Sequence, residues 1–261
     1  MTRDNAAPQT GLDVRDLTVR YGGVLANDTV SLSVGPGRIV GLIGPNGAGK
    51  TTFIDAVTGF TPCTGEIVLG GRDLSGRPPH VRSRSGLTRT WQSGELFEDL
   101  SVRENVLVAA RRVTARTVLA DLVRPGRRRE DGAVSAALEL MGLDGLADRD
   151  VGILSLGQTK LLGVARALAG GPRVVLLDEP AAGLSAAESA ELGSRLRRAA
   201  AGGVGILLVD HDMGLVFDVC DEVHVLEFGR VISHGTPAFV RADEAVLTAY
   251  LGQGAREGET A

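Results

Sequence analysis

Lysine is nearly missing from this chain. Of 28 basic residues, only Lys50 and Lys160 are lysine. Cysteine is as scarce: Cys63 and Cys220 are too few for a disulfide framework and fit a reducing compartment. The four histidines are scattered and share no metal-ligand spacing with the two thiols. No apolar run approaches the roughly 20 residues needed to span a bilayer, and the polar, turn-rich N-terminus does not read as a signal peptide. The expectation is a soluble chain whose membrane role, if it has one, runs through a partner. Basic excess is absent too. A net charge of −4 gives no electrostatic case for nucleic acid as a partner.

What remains is ordinary globular material. The 261 residues, 43% apolar and 23% charged, can bury a large core as one domain or two unequal lobes. Residues 1–11 and 253–261 read as flexible tails around a single domain over 12–252. Residues 12–34 alternate as an antiparallel β-ribbon around the turn Tyr21-Gly22-Gly23. Arg38 to Ile43 is a short buried strand, and Lys50 to Thr58 a helix. Glu66 to Leu69 and Leu87 to Trp91 read as further strands. Two capping boxes, Ser101 with Glu104 and Ser185 with Glu188, mark helix starts. A third helix is expected from Gly157 to Ala169 and a last one from Asp243 to Leu251. Strands alternating with helices imply an α/β fold with a mostly parallel sheet. The segment of about 92–155 reads as a helical insertion in a core lobe made of 12–91 and 156–252. Its basic stretch, Arg124 to Arg129, reads as a solvated loop.

Gly44-Pro45-Asn46-Gly47-Ala48-Gly49-Lys50-Thr51 fits the G-x-x-x-x-G-K-S/T pattern in full, after an apolar run and before a helix. Glycines let backbone N–H groups wrap phosphates, and the helix N-terminus adds partial positive charge. Lys50 is expected on the β- and γ-phosphates, and Thr51 on Mg²⁺, with Thr52 following in the loop. Val174 to Leu177 delivers Asp178 and Glu179 at the C-terminal end of a buried strand, the edge where such sheets bind ligands. Asp178 is expected behind the Mg²⁺ shell and Glu179 as general base toward an attacking water. By itself such an acid pair is as easily structural; downstream of the phosphate loop it is not.

Leu154-Ser155-Leu156-Gly157-Gln158 resembles the ABC ATPase signature, usually written LSGGQ. Ser155, Gly157 and Gln158 match, and Leu156 departs from it. The resemblance implies a P-loop ATPase core, ATP and Mg²⁺ as ligands, and a dimer in which Ser155 and its helix N-terminus bind the nucleotide of the other subunit. It also implies that Tyr21 stacks on adenine, that Gln92 contacts Mg²⁺ or the water, and that His211 holds the γ-phosphate and orients the water. Ser185 falls where the family usually has Asp or Asn. Arg89-Thr90-Trp91-Gln92, Ser101 to Leu107, Pro180-Ala181-Ala182-Gly183-Leu184, His211-Asp212-Met213 and Ala249-Tyr250-Leu251-Gly252 resemble ATPase subunits of branched-chain amino acid importers, on the side that bears the Q-loop glutamine. That resemblance implies integral membrane permease subunits, a second ABC ATPase subunit and, indirectly, a solute-binding protein as partners. It also implies peripheral attachment at the cytoplasmic face of the inner or plasma membrane. An ABC exporter or lipid-extraction ATPase is the alternative. A soluble ABC ATPase acting on nucleic acid or ribosomes is the third reading; such chains generally carry two ATPase units or added basic regions.

Overall fold

Strand β3, Ile39–Ile43, is buried at every residue and lies at the centre of the architecture. The computed structural model of the protein describes residues 11–90, 96–110 and 131–257. β3 is flanked in parallel by β8 (Gly205–Val209) and β9 (Glu222–Glu227). The sheet runs β10-β9-β3-β8-β7-β6, with β7 at Val174–Asp178, β6 at Leu87–Arg89 and β10 at Arg230–Gly235. Only β10 is antiparallel to its neighbour. Strands buried on both faces read as unbroken apolar runs, which is why Ile39–Ile43 and Val174–Leu177 stand out in the sequence.

The two faces of this sheet feed two cores. Ile39, Ile43, Val175, Leu177, Ile206 and Leu208 point to one. Val40, Leu42, Val174, Leu176, Leu207 and Val209 point to the other. This alternation is the period of two that a strand imposes. The second core is closed by helix α1 (Lys50–Thr58), through Phe53, Ile54, Ala56 and Val57, and by a separate antiparallel sheet. That sheet is ordered β2-β1-β4-β5: Val24–Val34, Leu12–Tyr21, Thr64–Leu69 and Arg72–Asp73. The expected two-stranded ribbon is thus half of a larger sheet. β4 adds to it from more than 40 residues away, a pairing that no local pattern announces.

The first core is covered by helices. α3 (Val102–Ala110), α4 (Asp131–Met141) and α5 (Leu156–Ala169) pack on one another, and α6 (Ala186–Ala201) and α7 (Met213–Val219) lie against the sheet. Gly41 sits where α7 comes closest: a Cβ there would stand 2.9 Å from Val216 Cγ1 and 3.0 Å from Cys220 Sγ. Cys220 is buried and its thiol is pushed up to about 12 by desolvation, and both cysteines are free. Such a thiol stays protonated and unreactive. α8 (Pro237–Ala242) begins with proline at its first turn, as the Thr236-Pro237 pair predicts. α9 runs Glu244–Glu257, past the expected stop at Leu251. Gly252 and Gly254 weaken a helix without ending it, and no proline follows to force a stop. The predicted N-terminal tail, Gln92 and the basic stretch at 124–129 lie outside the described residues. Among the described residues no helix is long and apolar enough to cross a membrane.

One buried cation ties the local structure together. Arg82, on the short helix α2 (Pro79–Arg84), is 3% exposed. Its Nη1 donates to the carbonyls of Ala56 (2.8 Å) and Val57 (2.7 Å), and its Nε donates to that of Arg77 (2.7 Å). It closes the C-terminal end of α1, where carbonyls lack helix partners and the dipole is negative. Substitution Arg82→Ala removes all three of these bonds; the Ala56 carbonyl keeps the Gly59 N–H (3.1 Å), while those of Val57 and Arg77 lose the guanidinium. It is expected to cost about 2–4 kcal/mol and to lower Tm by roughly 5–10 °C in a thermal melt. An unchanged melt would remove this role.

Candidate functional site

The chain leaves β3 into residues 44–49 and enters α1 at Lys50. Two glycines make that path possible. Gly44 has φ 152° and a Cβ there would lie 2.0 Å from the Leu226 carbonyl oxygen. Gly49 has φ 102° and its Cβ would lie 2.4 Å from that of Ala26. Neither position admits a side chain. The loop is held in shape by Ala48 N–H to Pro45 O (3.1 Å), Gly229 N–H to Ala48 O (3.0 Å) and Asn27 Nδ2 to Gly49 O (3.2 Å). Asn27, on β2, is fully buried, and no local pattern marks it for this task.

Lys50 folds back across the loop. Its Nζ donates to the carbonyls of Gly44 (2.6 Å) and Pro45 (3.0 Å). Burial lowers its pKa, and the nearby carboxylates of Glu179 and then Asp178 work against that shift. Thr51 is exposed and Thr52 half-buried on the first turn of α1. Above the loop lies a cavity of about 390 Å³, bounded by residues 46–52, Val24, Leu25, Ala26, Glu179, Phe228 and Gly229. The structure therefore brings Asn46, Gly47, Ala48, Gly49, Lys50, Thr51, Thr52 and Glu179 to one space, with Gly44 and Pro45 held under it through Lys50.

The two acids behave differently. Asp178 ends β7 and is 4% exposed. Its carboxyl pKa is raised by burial first, against the Arg89 guanidinium, which lowers it. Arg89 Nη2 stands 3.5 Å from Asp178 Oδ2, while its Nη1 is 2.5 Å from Asp55 Oδ1 on α1. Arg89 is 7% exposed at its side chain, so β6, β7 and α1 are joined by a buried ionic link. Asp178 N–H also donates to Thr90 Oγ1 (3.2 Å). Glu179 is a non-glycine residue at φ 48°. Its N–H donates to Val209 O (2.7 Å), which fixes it in this sparsely populated region. Strain held in place by neighbours is characteristic of sites that must aim a side chain.

His211 follows β8 with its side chain 62% exposed. Its placement comes from Asp210, which is fully buried. Asp210 Oδ1 accepts from the N–H groups of His211 (2.8 Å) and Asp212 (3.0 Å), and Oδ2 accepts from Ala181 N–H (3.0 Å). One carboxylate thus stitches the histidine loop to the segment that follows Glu179. The sequence pattern assigned no task to Asp210 or Arg89; the Ala181 contact of the first and both acid contacts of the second are distant along the chain.

Tyr21 ends β1, half exposed, with its hydroxyl 3.3 Å from Thr61 Oγ1. It does not itself bound the cavity, but it pairs with Val24, which does. The signature residues stand apart from the cavity. Ser155 caps α5: its Oγ accepts from Gln158 N–H (3.2 Å), and Gln158 Oε1 accepts from Ser155 N–H (3.0 Å). Leu156 is half exposed and its Cδ2 lies 3.1 Å from where a Cβ on Gly183 would stand; Gly157 would similarly meet Glu188 Oε1 at 2.8 Å. Glu188 is the capping partner of Ser185 at the start of α6 (2.9 Å to Ser185 N–H). The two residues that depart from the family pattern, Leu156 and Ser185, therefore both stand where the signature helix meets the α6 start.

A family model described as ABC transporter matches residues 27–182, and one described as branched-chain amino acid ATP-binding cassette transporter matches residues 230–256. The high-affinity branched-chain amino acid transport ATP-binding protein BraF of Pseudomonas aeruginosa is 39% identical over 249 residues, covering 93% of this chain and 98% of its own. LivG of Escherichia coli, of the same description, is 39% identical over 251 residues, with the same coverage. The lipopolysaccharide export system ATP-binding protein LptB of Escherichia coli is 35% identical over 243 residues, covering 93% and 97%. Among solved structures, the ADP conformation of an ATP-binding cassette of an ABC transporter superposes with a TM-score of 0.81 at 28% identity, covering 93% of this chain and 98% of that one. With the phosphate loop, the strand-borne acids and the capped signature helix in place, the chain belongs to the ABC transporter family of ATP-binding subunits.

Proposed function

We propose that this chain is the ATP-hydrolysing subunit of an importer for branched-chain or related amino acids. It works as a dimer with a second ABC ATPase, docked on integral membrane permease subunits at the cytoplasmic face of the inner or plasma membrane. A solute-binding protein delivers cargo to those permeases. The observation that carries the ATPase reading is the cavity that joins the loop of residues 46–52 to Glu179, with Ser155, Gly157 and Gln158 standing outside it. A site that is half-built in one chain fits completion by another. The solute class rests on the 39% identity to BraF and LivG.

In this reading the loop N–H groups and the α1 N-terminus hold the phosphates. Lys50 exchanges its bonds to the Gly44 and Pro45 carbonyls for β- and γ-phosphate oxygens. Tyr21 stacks on adenine from beside Val24. Glu179, strained into the cavity, takes a proton from the attacking water, and exposed His211 binds the γ-phosphate and orients that water. Gln92 contacts Mg²⁺ or the water in this reading, as the family resemblance implies; β6 itself is held beside Asp178 through Thr90. Mg²⁺ fits the donors present. The Thr51 hydroxyl and the Asp178 and Gln92 oxygens are hard ligands. Mg²⁺ in such sites keeps several waters and takes few protein ligands beside the phosphates. When bound, Mg²⁺ would neutralise charge on the phosphate oxygens. Ser155 and the N-terminus of α5 face the partner's γ-phosphate. ATP closes the dimer and phosphate loss opens it, which biases the permease between two states.

Export is the second reading, favoured by the 35% identity to LptB. Measuring leucine, isoleucine and valine uptake in the native cell with and without this subunit decides between them. Uptake lost on deletion and restored by the wild-type chain supports import; unchanged uptake together with co-purified export permeases overturns it. Substitution Lys50→Ala is expected to weaken ATP binding by roughly 10- to 100-fold, the loss of a charged hydrogen-bond donor. Equilibrium dialysis giving wild-type affinity rejects the loop assignment. Substitution Glu179→Gln is expected to lower steady-state kcat by roughly 10²- to 10⁴-fold while preserving an ATP-dependent dimer in size-exclusion chromatography. Undiminished turnover removes Glu179 as the base.

A further inference from the structure

The β9–β10 hairpin turns on two residues, Phe228 and Gly229, between Glu227 and Arg230. Both have positive φ, 46° and 79°. A two-residue turn with this handedness favours Asn-Gly, Asp-Gly or Gly-Gly, because the first position needs a residue that tolerates the left-handed region. This chain places a phenylalanine there. The ring gains almost nothing from folding: Phe228 is 75% exposed, more than any other exposed large apolar residue among those described. A strained backbone and an aromatic ring left in water, combined at one residue, require a reason outside folding.

The turn is also fixed in space. Gly229 N–H donates to Ala48 O (3.0 Å) in the phosphate loop, and Gly229 O accepts from Asp28 N–H (2.8 Å) on β2. Arg230 pairs with Asp28 (2.6 Å). A Cβ on Gly229 would lie 2.7 Å from the Ala26 carbonyl oxygen, so the hairpin presses on β2 as closely as backbone allows. Phe228 is thereby held at the wall of the cavity above the loop, and it is the one aromatic among the described residues that bound it. Two chemistries meet across that cavity. The loop offers N–H groups, Lys50 and the Thr51 hydroxyl. Exposed Val24 and Phe228 offer apolar surface on the side of the β1–β2 turn. This is the division a nucleotide has, charged phosphates at one end and a flat, weakly polar nucleoside at the other.

We infer that Phe228 is a binding residue for the nucleoside part of the nucleotide, packing its ring on the ribose and base while the loop takes the phosphates. The inference rests on the proposal that this cavity binds ATP, and it deepens that proposal by giving the site a second aromatic contact in addition to Tyr21. The site then discriminates a nucleoside triphosphate from a bare polyphosphate through contacts on both sides of the loop.

The test uses the full chain and three variants, Phe228→Gly, Phe228→Asn and Phe228→Tyr, with ATP and inorganic tripolyphosphate as ligands in calorimetric titrations. Glycine and asparagine suit the turn better than phenylalanine, so both variants are expected to melt at or above the wild-type temperature, and lost affinity cannot be blamed on misfolding. Phe228→Gly and Phe228→Asn are expected to weaken ATP binding roughly tenfold and to leave tripolyphosphate binding unchanged, with Phe228→Tyr close to wild type. Wild-type ATP affinity in Phe228→Gly overturns the inference, including the case where only ATP-dependent dimer formation changes, which puts the ring on the partner subunit. Equal losses for ATP and tripolyphosphate overturn it too, since the turn then merely shapes the loop. A wild-type chain that binds neither ligand fails at the earlier step, the reading of the cavity itself.

Discussion

Two carbonyl oxygens, those of Leu226 and Ala26, press on the loop of residues 44–49 more closely than any side chain permits. This contact is the constraint on which the site depends. The central sheet supplies one wall through β9 and the antiparallel sheet supplies the other through β2. The loop is squeezed between them, and its carbonyls are occupied inward. Lys50 takes those of Gly44 and Pro45, Gly229 takes that of Ala48, and Asn27 takes that of Gly49. A replacement at Gly44 or Gly49 would therefore part the two sheets as well as spoil the loop. The cavity and the second core share these atoms, so binding and folding are coupled at this point.

The same close packing explains what the sequence disclosed and what it withheld. The glycine-lysine pattern, the buried run before Asp178 and the two capping boxes are local: their physics is contained in four to nine neighbouring residues, and the structure places them where the pattern predicts. Arg89 is different. Its partners Asp55 and Asp178 lie 34 and 89 residues away. Arg82 likewise serves carbonyls at the end of α1, and Asp210 reaches the N–H of Ala181, 29 residues away. A single arginine or aspartate in a string of residues carries no mark of such duties. The pairing of β4 with β1 and the run of α9 past Leu251 were missed for related reasons: one is a long-range contact, and the other depends on glycines that weaken a helix without stopping it. Phe228 belongs with these: its place on a two-residue turn and at the cavity wall emerges only from the fold.

Asp178 illustrates how the site pays for its charges. A carboxylate this buried is pushed toward its neutral form, and Arg89 is the counterweight that keeps the anion accessible. Arg89 is in turn shared with Asp55 on α1, so the helix that begins at Lys50 and the strand that ends at Asp178 are pinned to one guanidinium. A point charge on a lysine stem would hold one acid; the planar fork can reach both. The chain uses arginine there and reserves one of its two lysines for the loop, where a compact ammonium can trade carbonyl partners for phosphate.

That trade also bears on how a half-site can be switched. Lys50 has two carbonyl partners within the loop, so phosphate binding would exchange bonds rather than start from an unpaired charge. Thr51 and His211 are exposed and Glu179 is half-buried at the cavity wall, whereas the signature helix α5 lies outside that cavity. Within one chain that helix is already coupled to the acids' side of the site, because Leu156 lies over Gly183 and Gly157 abuts Glu188. The start of α5 thus abuts residues 183–188, and Asp210 ties Ala181, in the segment after Glu179, to the His211 loop.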